Sequence, residues 1–183
     1  MNTRSRIILL GDALIRRKGY NAFSFGDISN ELNIKKASIH YHFSTKTALV
    51  NAIIQKHIEL LEKFIKRVAD APPLDKINLF LLVYSMAKSE GRISILGSLG
   101  NDYYTLREDT QKNIKSLTDR TLDWLAHTLR EGKNLGVFHY TMDDRSKALM
   151  VITNILGAEQ LSRITNQSDF QKIKQNIIND LIQ

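Results

Sequence analysis

The chain has 183 residues, of which 43% are hydrophobic, enough to bury the core of one compact domain or of two small ones sharing a helix. It has no cysteine, which excludes disulfides, thiolate zinc sites and cysteine redox sensing. Its formal net charge is +7, and residues 1–56 hold +6 of it, the concentrated basic patch expected of a phosphate-binding surface. The plainer reading, a basic N-terminus that aids solubility, is separated from this only by what else those residues carry. No apolar run approaches the roughly 20 residues of a membrane span. The opening MNTRSRII leads straight into an amphipathic helix and lacks a signal-peptide hydrophobic stretch. A soluble cytoplasmic protein is expected.

After that first helix, Ser24 to Lys46 reads as two short helices joined by a tight turn. Ser24 and Asp27 form the S-x-x-D pattern of a helix start just ahead of Ile28. Ile28 and Leu32 share one helix face. Asn33 suits the left-handed turn, since Asn tolerates that conformation. Ile34 then enters the core, and Ile39 with Phe43 makes the buried pair of the next helix. Lys35, Lys36, Ser38, His40 and Tyr41 are left outward, where most can donate to phosphates or base edges. This is the layout of a helix-turn-helix, which places its second helix in the DNA major groove.

These residues resemble the DNA-binding domain of the TetR family of bacterial transcriptional repressors. The family's opening helix is echoed by Ile7, Ile8, Leu10, Gly11, Leu14 and Ile15, ending in Gly19-Tyr20. Phe23, Ser24, Asp27 and Ile28 echo its next signature. Ile34, Lys36, Ala37, Ser38, Ile39, His42, Phe43, Lys46 and Leu49 echo its recognition helix and exit. Three positions depart from the pattern. Lys35 stands where the family has a Ser or Thr cap, and a lysine there opposes the helix dipole unless a phosphate compensates it. Ala37 replaces Gly, and His40 replaces Tyr, as in a subgroup with an A-S-I-H-x-H-F run. The resemblance implies an all-α protein of about nine helices. A three-helix helix-turn-helix head occupies residues 1–50, and a C-terminal helical bundle for ligand binding and dimerisation occupies residues 51–183.

The later sequence is helical in pattern. A long helix is expected over residues 45–69, stopped by Pro72-Pro73. Another spans 74–88, with Ile77, Phe80, Leu81 and Tyr84 spaced for burial, broken by Ser89-Glu90-Gly91. Residues 92–106 suggest a short helix and then a loop. A long helix covers 107–133, with Leu117, Thr121, Trp124, Leu125 and Leu129 on one side. The helix over 146–164 is apolar over more than one stripe, and a last helix covers 168–182. Burial inside one protomer explains such helices as well as dimerisation does. The family resemblance favours a homodimer built on these last two helices through Val151, Ile155, Gly157, Ile173 and Ile177. A twofold dimer would present two recognition helices to a palindromic operator in double-stranded DNA.

In similar proteins the body holds a small molecule. Candidate lining residues here are His57, Phe64, Tyr84, Tyr103, Tyr104, Trp124, His127 and Asn154. Aromatics at helical spacing are more often core, and the identity of a small-molecule effector is unreadable. His40 and His42 are two apart, the wrong spacing for zinc on a helix, so no metal is expected. No cofactor is expected, and no catalytic motif is present, so the protein is not expected to be an enzyme. The reading is a ligand-responsive repressor released from its operator by a small molecule. Ser24, Lys36, Tyr41 and Lys46 would contact the DNA backbone and Lys35, Ser38 and His40 the groove, with Tyr41 able to serve either role. Two other classes stay open: a DNA-binding module without a ligand, and an all-helical enzyme or adaptor that retains a helix-turn-helix shape.

Overall fold

The computed structural model describes residues 2–89 and 91–183, with only the backbone described at Lys88, Ser89 and Gln167. Its described residues form nine α-helices, one 3-10 turn and no strand, an all-α fold. The helices are α1 (Thr3–Lys18), α2 (Phe25–Leu32), α3 (Lys36–His42), α4 (Lys46–Arg67), α5 (Pro73–Ser89), α6 (Ile95–Asn101), α7 (Glu108–Asn134), α8 (Asp144–Leu161) and α9 (Gln167–Ile182). The 3-10 turn is Tyr103–Thr105. Of the expected break after α5, Glu90 lies outside the described residues, while Gly91 adopts a left-handed φ of 67°.

The chain divides into two compact units, residues 1–60 with 95–117 and residues 61–94 with 118–183. Each unit is discontinuous in sequence, and α6 lies in the one that holds the helix-turn-helix.

In the first unit, α1 opens with the Asn2 side chain accepting from the Ser5 N–H. It closes with Arg16, Arg17 and Lys18, cations suited to a helix C-terminus. Gly19 follows at φ 94°, a conformation that costs glycine little. Ile7, Ile15, Ile28, Ile39, Leu49 and Ile53 are all fully buried, the inward faces that the apolar spacing of α1 to α4 dictates. The Ser98 hydroxyl of α6 donates to the Ile15 carbonyl at 2.7 Å, in a buried position.

In the second unit, Pro73 starts α5 where its missing N–H is harmless. Ile77, Phe80, Leu81 and Tyr84 join Leu125 and Leu129 of α7, Ile155 of α8 and Phe170 and Leu181 of α9 in one core. Gly132 lets the buried Phe138 ring lie on the backbone of α7, for a Cβ there would stand 2.0 Å from Phe138 Cδ2. Two buried lysines reach carboxylates: Lys76 to Glu131 at 2.8 Å and Lys147 to Asp180 at 2.6 Å. The fully buried Glu159 accepts from the N–H and the hydroxyl of Ser94, at 2.9 and 2.7 Å.

Within one protomer the residues expected at a dimer interface take different places. Val151, Ile155 and Ile177 are buried in the protomer's own core, and Ile173 packs against that core. Their side chains are therefore committed within one chain; Gly157 alone of the five is exposed. The outward apolar side of α8 and its exit instead carries Met150, Leu161 and Ile164, which are 43%, 52% and 84% exposed.

Candidate nucleic-acid interface

The interface begins with the start of α2. The Ser24 N–H donates to Asp27 Oδ2 at 2.7 Å, and the Asp27 N–H donates to Ser24 Oγ at 3.3 Å, a reciprocal capping box. Hydrogen bonds from the Ser24 side chain and backbone hold the Asp27 carboxyl below its ordinary range. At the other end Asn33 takes φ 51° and ψ 50°, the left-handed turn expected of it. The Ile34 N–H donates to the Ser29 carbonyl, and the Ser29 hydroxyl donates to the Ile34 carbonyl. These bonds fix the angle at which α3 leaves α2.

Helix α3 presents Lys35, Lys36, Ala37, His40 and Tyr41 to solvent, with Ser38 half-buried and Ile39 inward. Tyr41 is 86% exposed. His40 stands edge-on to Phe25 at 5.1 Å between centroids, which steadies its ring on the recognition face. Lys35 occupies the N-cap without a side-chain hydrogen bond, as its departure from the family pattern implies. Arg4 lies over the Phe43 ring at 5.1 Å and adds a cation beside the exit of α3.

Lys46 has an internal role that spacing alone did not reveal. Its ammonium donates to the Phe23 carbonyl and sits over the Tyr20 and Phe23 rings, at 4.5 and 4.3 Å. Burial lowers its pKa, while the Asp102 and Asp27 charges pull it back up. Ser24 is likewise engaged in its cap.

The candidate ligand residues are divided between the two units. In the first, His57 Nε2 lies 2.7 Å from Asp12 Oδ1, and Tyr103 packs edge-on against Tyr104, itself 94% exposed. In the second, Trp124 meets Phe64 at 5.2 Å and Phe80 at 5.4 Å, and Phe80 meets Tyr84 at 5.2 Å. Burial, with the Glu159 charge, raises the Tyr84 hydroxyl pKa. His127 and Asn154 are exposed and stand outside this aromatic cluster. Two further residues stand in these contacts. Phe80 reads from its spacing only as core. Asp12, a carboxylate within the amphipathic α1 with Arg16 four residues on, is legible as an ion-pair partner. Among the described residues no group of His, Asp and Glu side chains is placed to hold a metal ion, and no helix is long and apolar enough to cross a membrane.

Residues 7–53 match the family model described as bacterial regulatory proteins, tetR family. Over 184 aligned residues, spanning 94% of this chain and 92% of the relative, the sequence is 24% identical to an uncharacterized HTH-type transcriptional regulator in the lacX 3' region of Lactococcus lactis. It is also 24% identical, over 67% of this chain and 66% of the relative, to the biofilm operon icaADBC negative transcriptional regulator IcaR of Staphylococcus epidermidis. Among solved structures, a TetR transcriptional regulator from Legionella pneumophila superposes with a TM-score of 0.89 at 27% identity, covering 99% of this chain and 98% of that one. The more distant AibR, solved with isovaleryl coenzyme A and operator DNA, superposes at 0.74 with 18% identity, covering 98% and 97%. The helix-turn-helix of residues 7–53 thus matches the tetR family of bacterial regulatory proteins, in a chain whose fold is similar throughout to that of a solved TetR regulator.

Proposed function

We propose that this protein is a homodimeric transcriptional repressor that leaves a palindromic operator when a small molecule binds its helical body. The observation that carries the reading is α3 itself. It is pinned between a left-handed Asn33 and the buried Ile39, and it offers Lys35, Lys36, His40 and Tyr41 outward within the tetR-family match. Lys36 and Tyr41, with Ser24 and Lys46 at the flanking helix starts, meet backbone phosphates. Lys35, Ser38 and His40 face the groove, and Tyr41 can serve in either place.

The dimer forms on the outward side of α8. Met150, Asn154, Gly157 and Leu161 follow one another along α8 at spacings of four, three and four, the seam along which two helices pack, and the exposed Ile164 lies in the turn just beyond its end. Gly157 permits close approach at its centre. In the free dimer the two copies of α3 stand about 34–36 Å apart, one turn of DNA. The effector binds better to a form in which α4 has swung and the helices no longer match the grooves, and that difference in affinity is what releases DNA. The repressor sign is supported by the name of the IcaR relative, and the ligand by the complex of AibR.

Selection of genomic fragments retained by the purified chain tests the reading. The expected product is a palindrome upstream of the protein's own gene or a neighbouring operon. Failure to retard any DNA at low salt would remove it.

A further inference from the structure

The α1–α2 connection, residues 19–24, sets where α2 begins and therefore where α3 points. It is held from two sides. At its end, Lys46 binds the Phe23 carbonyl. At its start stands Asp102, the residue after α6 and more than 80 positions away. Its Oδ2 accepts from the Tyr20 N–H at 2.6 Å and its Oδ1 from the Asn21 side chain at 3.0 Å. The Asn21 amide also donates to Thr105 Oγ1 at 3.0 Å, and the Thr105 hydroxyl donates to the Asp102 carbonyl at 2.8 Å. Asp102 Oδ2 further lies 3.1 Å from where a Cβ on Gly19 would stand, so carboxylate and glycine fit one another.

A carboxylate at the C-terminus of α1 opposes the helix dipole. It is tolerated here because Arg16, Arg17 and Lys18 fill the last turn of α1 and the Lys46 ammonium lies close enough to feel its charge. The acid is thus placed against one local preference and inside a basic patch that DNA would otherwise claim. We propose that Asp102 is a positioning residue for DNA binding, the carboxylate through which the α6 segment fixes the α1–α2 connection and with it the direction of α3. Ser98 of α6, bonded to the Ile15 carbonyl, keeps the same segment in register with α1. The proposal rests on the DNA-binding reading above.

The test compares full-length Asp102→Ala and Asp102→Asn with wild type on the selected operator duplex. Fluorescence anisotropy at several salt concentrations is combined with amide exchange at Tyr20 and a thermal melt. Charge alone makes both variants bind DNA more tightly, since each removes one negative charge from a basic surface. Positioning predicts a split. Asp102→Ala weakens binding by about tenfold, the scale of one lost charge-assisted hydrogen bond, and its Tyr20 amide exchanges faster. Asp102→Asn keeps an oxygen acceptor for the Tyr20 N–H and recovers most of the affinity. Equal or tighter binding by both variants overturns the proposal. Should Asp102→Ala fail to fold, Asn21→Ala removes two of the bonds instead, and a several-fold loss is expected; unchanged affinity overturns the proposal. A wild-type chain that retains no duplex is a different failure, that of the DNA-binding reading itself, and it is seen before any variant is made.

Discussion

Lys36 and Asp12 show how differently two charged side chains of this fold are used. Lys36 is exposed on α3, and the Ala variant should bind every DNA sequence more weakly, with a salt slope shallower by about one charge. Anisotropy titrations across salt read this directly, and an unchanged slope removes Lys36 from the phosphate contacts. Asp12 is mostly buried. Desolvation raises its pKa, but the His57 hydrogen bond and charge, together with Arg16, outweigh that and hold it below the ordinary 3.8. The folded carboxyl therefore gives up its proton at lower pH than the unfolded one. Its contribution is present above pH 3.8 and is lost as pH falls through the lower folded value. His57→Ala should cost stability at neutral pH, and the gap from wild type should narrow below about pH 4. Urea midpoints over a pH series measure that gap, and a constant gap would place the effect elsewhere.

Helices were legible where local chemistry decides them. The Ser24–Asp27 box, left-handed Asn33 and the prolines at the start of α5 each act within a few residues, so the sequence states them outright. The register of α8 was not legible. Its apolar residues run nearly all the way round, so periodicity could not say which side faces the protomer's own core. Val151 and Ile155 turn inward, Met150 and Leu161 outward. Nor could spacing find Asp102, whose partners Tyr20 and Asn21 lie some 80 residues upstream. The α8 assignment separates two variants. Ile155→Ala opens a cavity and should cost about 2–5 kcal/mol of protomer stability. Ile164→Asp touches no core and should instead dissociate the proposed dimer. Sedimentation equilibrium beside thermal melts distinguishes them, and a dimer that survives Ile164→Asp moves the interface off this side of α8.

At the scale of the whole molecule, the proposed dimer makes function depend on two heads acting together. One short recognition helix offers few base contacts, and a twofold pair doubles them at a fixed spacing. The basic excess of residues 1–56 provides attraction for any DNA, while dimer geometry provides selection of a symmetric site. The direct measurement is a titration of the selected palindrome against the same duplex with about five base pairs, half a helical turn, inserted between its half-sites. The account predicts two chains per intact palindrome and loss of specific binding on insertion, which turns one half-site to the opposite face of the duplex. Equal affinity for both duplexes, or a single chain bound to the intact one, would contradict it.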